Sequence, residues 1–398
     1  LQKQLEAGNM TENFSAYWMA FAHAKDFSNR RKMEFLIDVV YERESIEGVM
    51  KKIKAGDRLG FSFTEKEWQG IMQATEEIPN YSFLAEKLIE RGVEIVHIMD
   101  KYAYPRILKE NLKKDAPITI YTKGNADLLN CNSVAIVGSR NCSEKSLRFT
   151  DTIAKQAVKA KTVIVSGFAK GVDKQALDSA LNYKGQSIIV LPQGIGTYEA
   201  KTYYSALVRG DVLVISTYHP QAPWSVGLAM DRNKIIYGLA RAVYAAESGD
   251  SGGTWEGVLN GLKRGLKVYV RLASPDEKNA NNLLITKGAL PVDEEGKVIE
   301  GLSIAEPGLE SEAKKADKAK QSKPLEQDIT VKILEELRLR KGKGITAHEI
   351  IELLGMDKKS TSRIHTLLGK QPEIIKTKKG RENYYHLKEA LPRQTSIF

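Results

Sequence analysis

The chain has 398 residues, too many for one compact core of ordinary size, so two or three domains are expected. An apolar fraction of 42% supplies a globular interior and argues against wholesale disorder, and no window nears 18 consecutive apolar residues, so no membrane-spanning helix is expected. The net charge is +10, and residues 329–398 carry 15 Lys and Arg against 8 Asp and Glu, a net +7, so the basic excess sits in the tail as a nucleic-acid footprint would.

The first residues, LQKQLEAGNMTENFSAYW, hold no basic stretch followed by an apolar one, so no secretory signal is read. Two cysteines, Cys131 and Cys142, lack CxxC spacing, which argues against a disulfide scaffold or a Cys-rich zinc site and points to the reducing cytoplasm. Six scattered histidines show no paired ligand spacing, so no metal is expected.

Residues 1–92 read as a helical domain. Apolar positions recur at three- and four-residue spacing in FLIDVVYERESIEGVMKKI (Phe35–Ile53) and in YSFLAEKLIERG (Tyr81–Gly92), where Gly92 suits a helix end. The period then changes. Across 93–300, apolar runs at VEIVHIM, SVAIVG, TVIVSG, SIIVLP, DVLVIST, AVYAAE and KVYVRL alternate with helical stretches such as Glu144–Ala160 and Asp173–Tyr183. Near-continuous apolar strands separated by helices predict an α/β, doubly wound, Rossmann-like and mostly parallel sheet. Residues 301–328 are charged and nearly free of large apolar side chains, as in a flexible linker.

The tail, 329–398, reads as three short helices and a β-hairpin, a winged-helix domain. Thr346 fits an N-cap, with Glu349 completing a capping box. Lys379-Gly380-Arg381 would be the wing tip, with one of Tyr384 and Tyr385 facing inward. Lys359 and Arg363 would sit at the recognition helix and, with Lys379 and Arg381, contact phosphates. Protein docking is the other reading of such a tail.

Three strings stand at the ends of strand-like runs: VAIVGSRN (Val134–Asn141), VIVSGFAKGVD (Val163–Asp173) and VYAAESGDSGGT (Val243–Thr254). Each stops at small or Gly residues before a helix-compatible segment, the layout in which backbone N–H groups face an anion. Ser139, Arg140, Lys170 and Ser251 follow these turns directly. Arg232-Asn233-Lys234 opens another helix, where cations oppose the macrodipole unless an anion compensates them. A polyanion site is therefore expected. Arg140, Arg232 and Lys234 lie outside the apolar strands, so their replacement is expected to remove binding and leave the fold intact.

Other chemistries lack their residues. There is no GxxxxGK[ST] and no GxGxxG, since Gly194-Ile195-Gly196-Thr197-Tyr198-Glu199 places Glu at the third Gly, so no nucleotide or redox cofactor is expected. No GxSxG elbow exists, and His219, on a Pro-rich loop, reads as a surface residue as easily as a base, lone loop histidines being mostly structural, so no catalytic residue is assigned. Tyr218, Trp224 and Trp255 lie on strand-end loops where bases could stack.

VAIVGSRN, SGFAKGVD, RNKIIYGL and ESGDSGGT, in that order, resemble the core of the DNA-processing protein A (DprA, or Smf) family. YAYPRILKENLKKDAPITIYTKGN resembles the segment leading into that core, and the three-part order matches over nearly the whole chain. The resemblance implies a dimer that binds single-stranded DNA, protects it and hands it to a RecA-type recombinase during natural transformation. Departures are Leu177 where the family carries His and Met230 where it carries Pro. The segment DSGGTWEG also resembles the LOG-type nucleotide phosphoribohydrolases, the alternative function, but Gly257 stands at their key carboxylate.

Overall fold

The computed structural model describes residues 14–40, 44–199, 201–301, 326–340, 344–354, 364, 368, 373–379 and 382–387. Two compact units divide the chain, 1–306 and 307–398.

The first unit opens with helix α1 (14–23), α2 (Asn29–Phe35), α3 (Ile46–Lys54), α4 (Glu65–Glu76) and α5 (Ile78–Glu90). The apolar repeat from Phe35 to Ile53 does not make one helix. A π-helical turn covers Leu36–Val40, and α3 starts afresh where the Ser45 hydroxyl accepts the Gly48 N–H. α4 carries a full capping box, Thr64 with Glu67. Gly92, with φ of +72°, ends α5 as its sequence position suggests.

Nine strands follow: β1 (Val93–His97), β2 (Thr119–Gly124), β3 (Ser133–Val137), β4 (Val163–Ser166), β5 (Ser187–Val190), β6 (Val212–Ser216), β7 (Ala242–Ala245), β8 (Val268–Arg271) and β9 (Leu290–Val292). Their order in the sheet is β1-β2-β6-β5-β4-β3-β7-β8-β9. β1 and β2 run antiparallel to their neighbours, and every pair from β6 to β9 is parallel. Helices α6 (Arg106–Leu112), α7 (Glu144–Lys159), α8 (Val172–Asn182), α9 (Tyr204–Val208), α10 (Val226–Asp231), α11 (Asn233–Gly238), α12 (Gly253–Lys263) and α13 (Asn281–Thr286) complete the unit. The chain steps from β3 through β6 in one direction, then returns to place β7 on the other side of β3. That reversal opens a crevice at the strands' carboxyl ends. One apolar cluster runs from Ala16 in α1 to Ala289 before β9, so the N-terminal helices share a core with the sheet.

An ion-pair network supports the β7–β8 side. Arg271, fully buried, donates through Nε to the Ala246 carbonyl and through Nη1 to Glu277 at 3.0 Å and Glu294 at 3.1 Å. Hydrogen bonding from Arg271 holds the Glu277 carboxyl down at about 2. A carboxylate whose folded pKa lies below its unfolded value stabilises the protein above about pH 4.5, and that contribution fades as pH falls towards 2. Acid titration of Glu277→Gln should therefore show a flatter loss of stability over this window, with about 3 kcal/mol at stake at neutral pH. Parallel acid curves for both proteins would refute the coupling.

In the second unit α14 (Glu326–Leu339) precedes β10 (Ile345–Thr346), α15 (Ala347–Leu353) and the hairpin of β11 (Ile374–Lys379) and β12 (Glu382–Leu387). Thr346 and Glu349 form the expected capping box on α15. Tyr385 is the inward tyrosine of the hairpin, packed with Ile333, Ile350 and Ile364.

Candidate functional site

The turns after β3, β4 and β7 meet α10–α12 around a cavity of about 380 Å³, lined by Ser139, Arg140, Asp173, Arg232, Asn233 and Ser251 among others. Its walls depend on close backbone approach. Gly171 has φ of +79°, and a side chain there would meet the Ser139 and Arg140 carbonyls at 2.4 and 2.6 Å. Between Gly167 and Gly171, Phe168 takes φ of +61°, a conformation bulky side chains adopt only when the surroundings impose it. Its ring packs edge-on against Tyr198 and Tyr203.

Six described helices start with a Ser or Thr cap, but α8 and α12, which open on the cavity, start with Gly171 and Gly252 and have no side-chain cap. At α8 the turn itself supplies acceptors: Val172 N–H donates to Ser139 and Lys174 N–H to Ala169. At α12 the N–H groups of Gly253, Thr254 and Trp255 have no acceptor among the described residues. Gly253 and Thr254 line the cavity, so its wall presents unpaired donors at the positive end of an eleven-residue helix. Arg140 lines the same cavity, exposed and without an ion pair among the described residues, and Lys170, on the neighbouring turn and outside the cavity lining, is likewise exposed and unpaired among them.

Arg232 is not an exposed cation. Only 4% of it is accessible, and its Nη1 donates to the carbonyls of Gly167 at 2.5 Å and Val190 at 2.7 Å. Its Nη2 lies 3.8 Å from the buried Asp173 carboxylate. Burial lowers the Arg232 pKa, partly offset by Asp173, and burial raises the Asp173 pKa against the pull of Arg232. The compensating anion sought for the Arg-Asn-Lys helix start is thus part of the protein. The expectation that Arg232 can be replaced without harm to the fold is corrected accordingly. Lys234 pairs with Asp231 at 2.6 Å and lines a neighbouring hollow instead of this cavity. Asn233 ties the two helices together, accepting from Arg232 Nε at 3.2 Å and donating to the Gly253 carbonyl at 3.1 Å.

Ser139 is half-buried and its N–H donates to the Glu247 carbonyl, and the exposed Ser251 hydroxyl donates to Asp250 at 3.2 Å. Lys359, Arg363 and Arg381 lie outside the described residues. Lys379 ends β11 opposite Glu382. Of the three aromatic candidates, Trp224 is half exposed, Trp255 packs partly against the core, and the Tyr218 hydroxyl is bound to the Leu228 carbonyl and Asp231. Sequence reasoning passed over Asp173 and Tyr237. Asp173 was legible as the only carboxylate in the second turn's string, while Tyr237 looks like one more core residue. A side chain at Gly257 would meet the Tyr237 hydroxyl at 2.8 Å, so the hydrolase carboxylate position has no room for one. No cluster of three or more His, Cys, Asp or Glu side chains able to hold a metal occurs among the described residues.

The model of the DNA recombination-mediator protein A family matches residues 94–303, more than half of the chain and all of the strand-end turns. The chain belongs to this family. DNA processing protein DprA of Streptococcus pneumoniae is 38% identical over 137 residues, covering 34% of this chain and 48% of that relative. Protein Smf of Synechocystis is 26% identical over 313 residues, 72% of this chain and 76% of its own length. The first curated relative is thus matched over about half its length. The X-ray structure of the pneumococcal DprA superposes with a TM-score of 0.55 at 26% identity, covering 70% of this chain and 94% of that one. Membership of the recombination-mediator family and the mixed α/β sheet agree with the resemblance carried by the turn motifs.

Proposed function

We propose that this member of the recombination-mediator family binds single-stranded DNA through its phosphates at the strand-end cavity, without hydrolysing it. The observation that carries the reading is one cavity lined by both the open α12 N-terminus and the unpaired Arg140. Backbone donors at a helix start and a free guanidinium suit a phosphate. Half-exposed Trp224 on the same edge offers a stacking face. Protection of the strand, its transfer to a RecA-type recombinase during natural transformation, and action as a homodimer in the cytoplasm follow from the family reading. No described helix is long and apolar enough to cross a membrane. The order of helix, short strand, helix and hairpin in the second unit supports a winged-helix reading, and exposed Lys376 and Lys378 on β11 suit an added phosphate contact.

Affinity for a single-stranded oligonucleotide should exceed that for a duplex of the same length, and should fall steeply with salt. Each phosphate contacted contributes a log–log slope of roughly −0.7. Fluorescence anisotropy across a salt series reads both quantities. A flat salt response would remove the phosphate site, and release of free base from nucleoside monophosphates would restore the hydrolase alternative.

A further inference from the structure

A second cavity, of about 310 Å³, lies between α1, α4, α5 and the loop after β6. His23, Tyr81 and His219 enclose it, with Gln73 and Glu77 at its mouth. The rings support one another: His219 meets His23 edge-on at 5.2 Å and Tyr81 at 5.8 Å, and His23 Nε2 lies 2.7 Å from the Tyr121 hydroxyl. The hollow opens to solvent beside exposed Gln73, and its lining mixes aromatic rings with a few polar groups. At the small end of ligand-pocket volumes, it suits a ring system more than an extended molecule.

Its chemistry is that of a base edge. Burial above all lowers the His23 pKa to about 3, helped by the nearby His219 and Lys32, and burial lowers that of His219 too, so both imidazoles are neutral near pH 7. A neutral imidazole carries one donor and one acceptor nitrogen, and at His23 the Nε2 is already engaged by the Tyr121 hydroxyl. His219 Nδ1 accepts the Gln221 N–H at 3.3 Å, leaving its Nε2 as the donor. Gln73 and Glu77, joined at 3.1 Å, add an amide and a carboxylate.

Its position is that of a neighbouring nucleotide. β4, β5 and β6 are parallel neighbours, so the loop carrying His219 leaves the same sheet edge as the Lys170 turn, two strand positions or about 10 Å away. Phe168 after β4 and Tyr198 after β5, 6.2 Å apart, stand on the intervening loops. We propose that the cavity between His23, Tyr81 and His219 seats a nucleobase of the strand whose phosphates engage Arg140 and Lys170. This rests on the single-strand reading above.

The test uses the full chain and oligothymidylates carrying one 5-bromouracil at successive positions, photocrosslinked and mapped by mass spectrometry. A crosslink to Tyr81 or His219 from one favoured position is expected. Crosslinks confined to other residues would overturn the base pocket and leave DNA binding standing, whereas failure to bind any oligonucleotide would overturn both. His219→Ala should weaken binding about 5- to 140-fold at every salt concentration without changing the salt slope, because a contact to a base, unlike one to a phosphate, releases no counterions. Gln73→Ala, at an exposed position, guards against a folding defect in the first variant. It should shift the ratio of affinities for oligoadenylate and oligothymidylate about fivefold, and an unchanged ratio would count against the pocket.

Discussion

Arg232→Ala is expected to destabilise the first unit by about 3–5 kcal/mol, among the larger effects of any single substitution in this chain. The guanidinium links three elements: Gly167 beyond β4, Val190 at the end of β5, and Asp173 in the first turn of α8. Removing it leaves two buried carbonyls without a donor and one buried carboxylate without its cation. Gly167 shows how tightly the group is housed, since a side chain there would lie 1.8 Å from Arg232 Nη1. Thermal melting should show a fall on the order of 10 °C. Arg232→Ala combined with Asp173→Asn should recover part of it, because the uncompensated charge is gone. A single variant that melts within a degree of the parent would show that the buried contacts carry little.

The sheet was legible because each buried parallel strand is an uninterrupted apolar run bounded by turn residues. Seven of the nine strands coincide with such runs, from β1 at VEIVHIM to β8 at KVYVRL. β9 escaped because it has only three residues and contains Pro291. β2, in PITIYTKG, lacks such a run because Thr119, Tyr121, Thr122 and Lys123 interrupt its apolar residues. The site was half legible. Glycines at strand ends mark where backbones meet, and that located the cavity. Sequence gives the charge of Arg140 and Arg232 alike, however, and only the fold separates them, one facing solvent and the other bonded to carbonyls. His219 shows the same limit from the other side. On a Pro-rich loop it reads as a surface residue, yet α1 and α5 close over it to make a second cavity.

With Arg232 and Lys234 committed to partners inside the protein, the free cations of the strand-end site reduce to Arg140 and Lys170. Arg140→Ala with Lys170→Ala should therefore leave melting unchanged within about 0.5 kcal/mol, as expected of exposed side chains without ion pairs. A hydrogen bond to a charged group is worth about 1.5–3 kcal/mol, and exposure to solvent reduces it, so each cation should account for roughly tenfold in affinity and the pair for about a hundredfold. If each neutralises one phosphate, the log–log salt slope should become shallower by about 1.4. Binding should persist at low salt, since the backbone donors of Gly253, Thr254 and Trp255 remain. Loss of affinity with the slope intact would mean that the two residues order the turns rather than meet phosphates. Unchanged affinity would move the DNA path away from this cavity altogether.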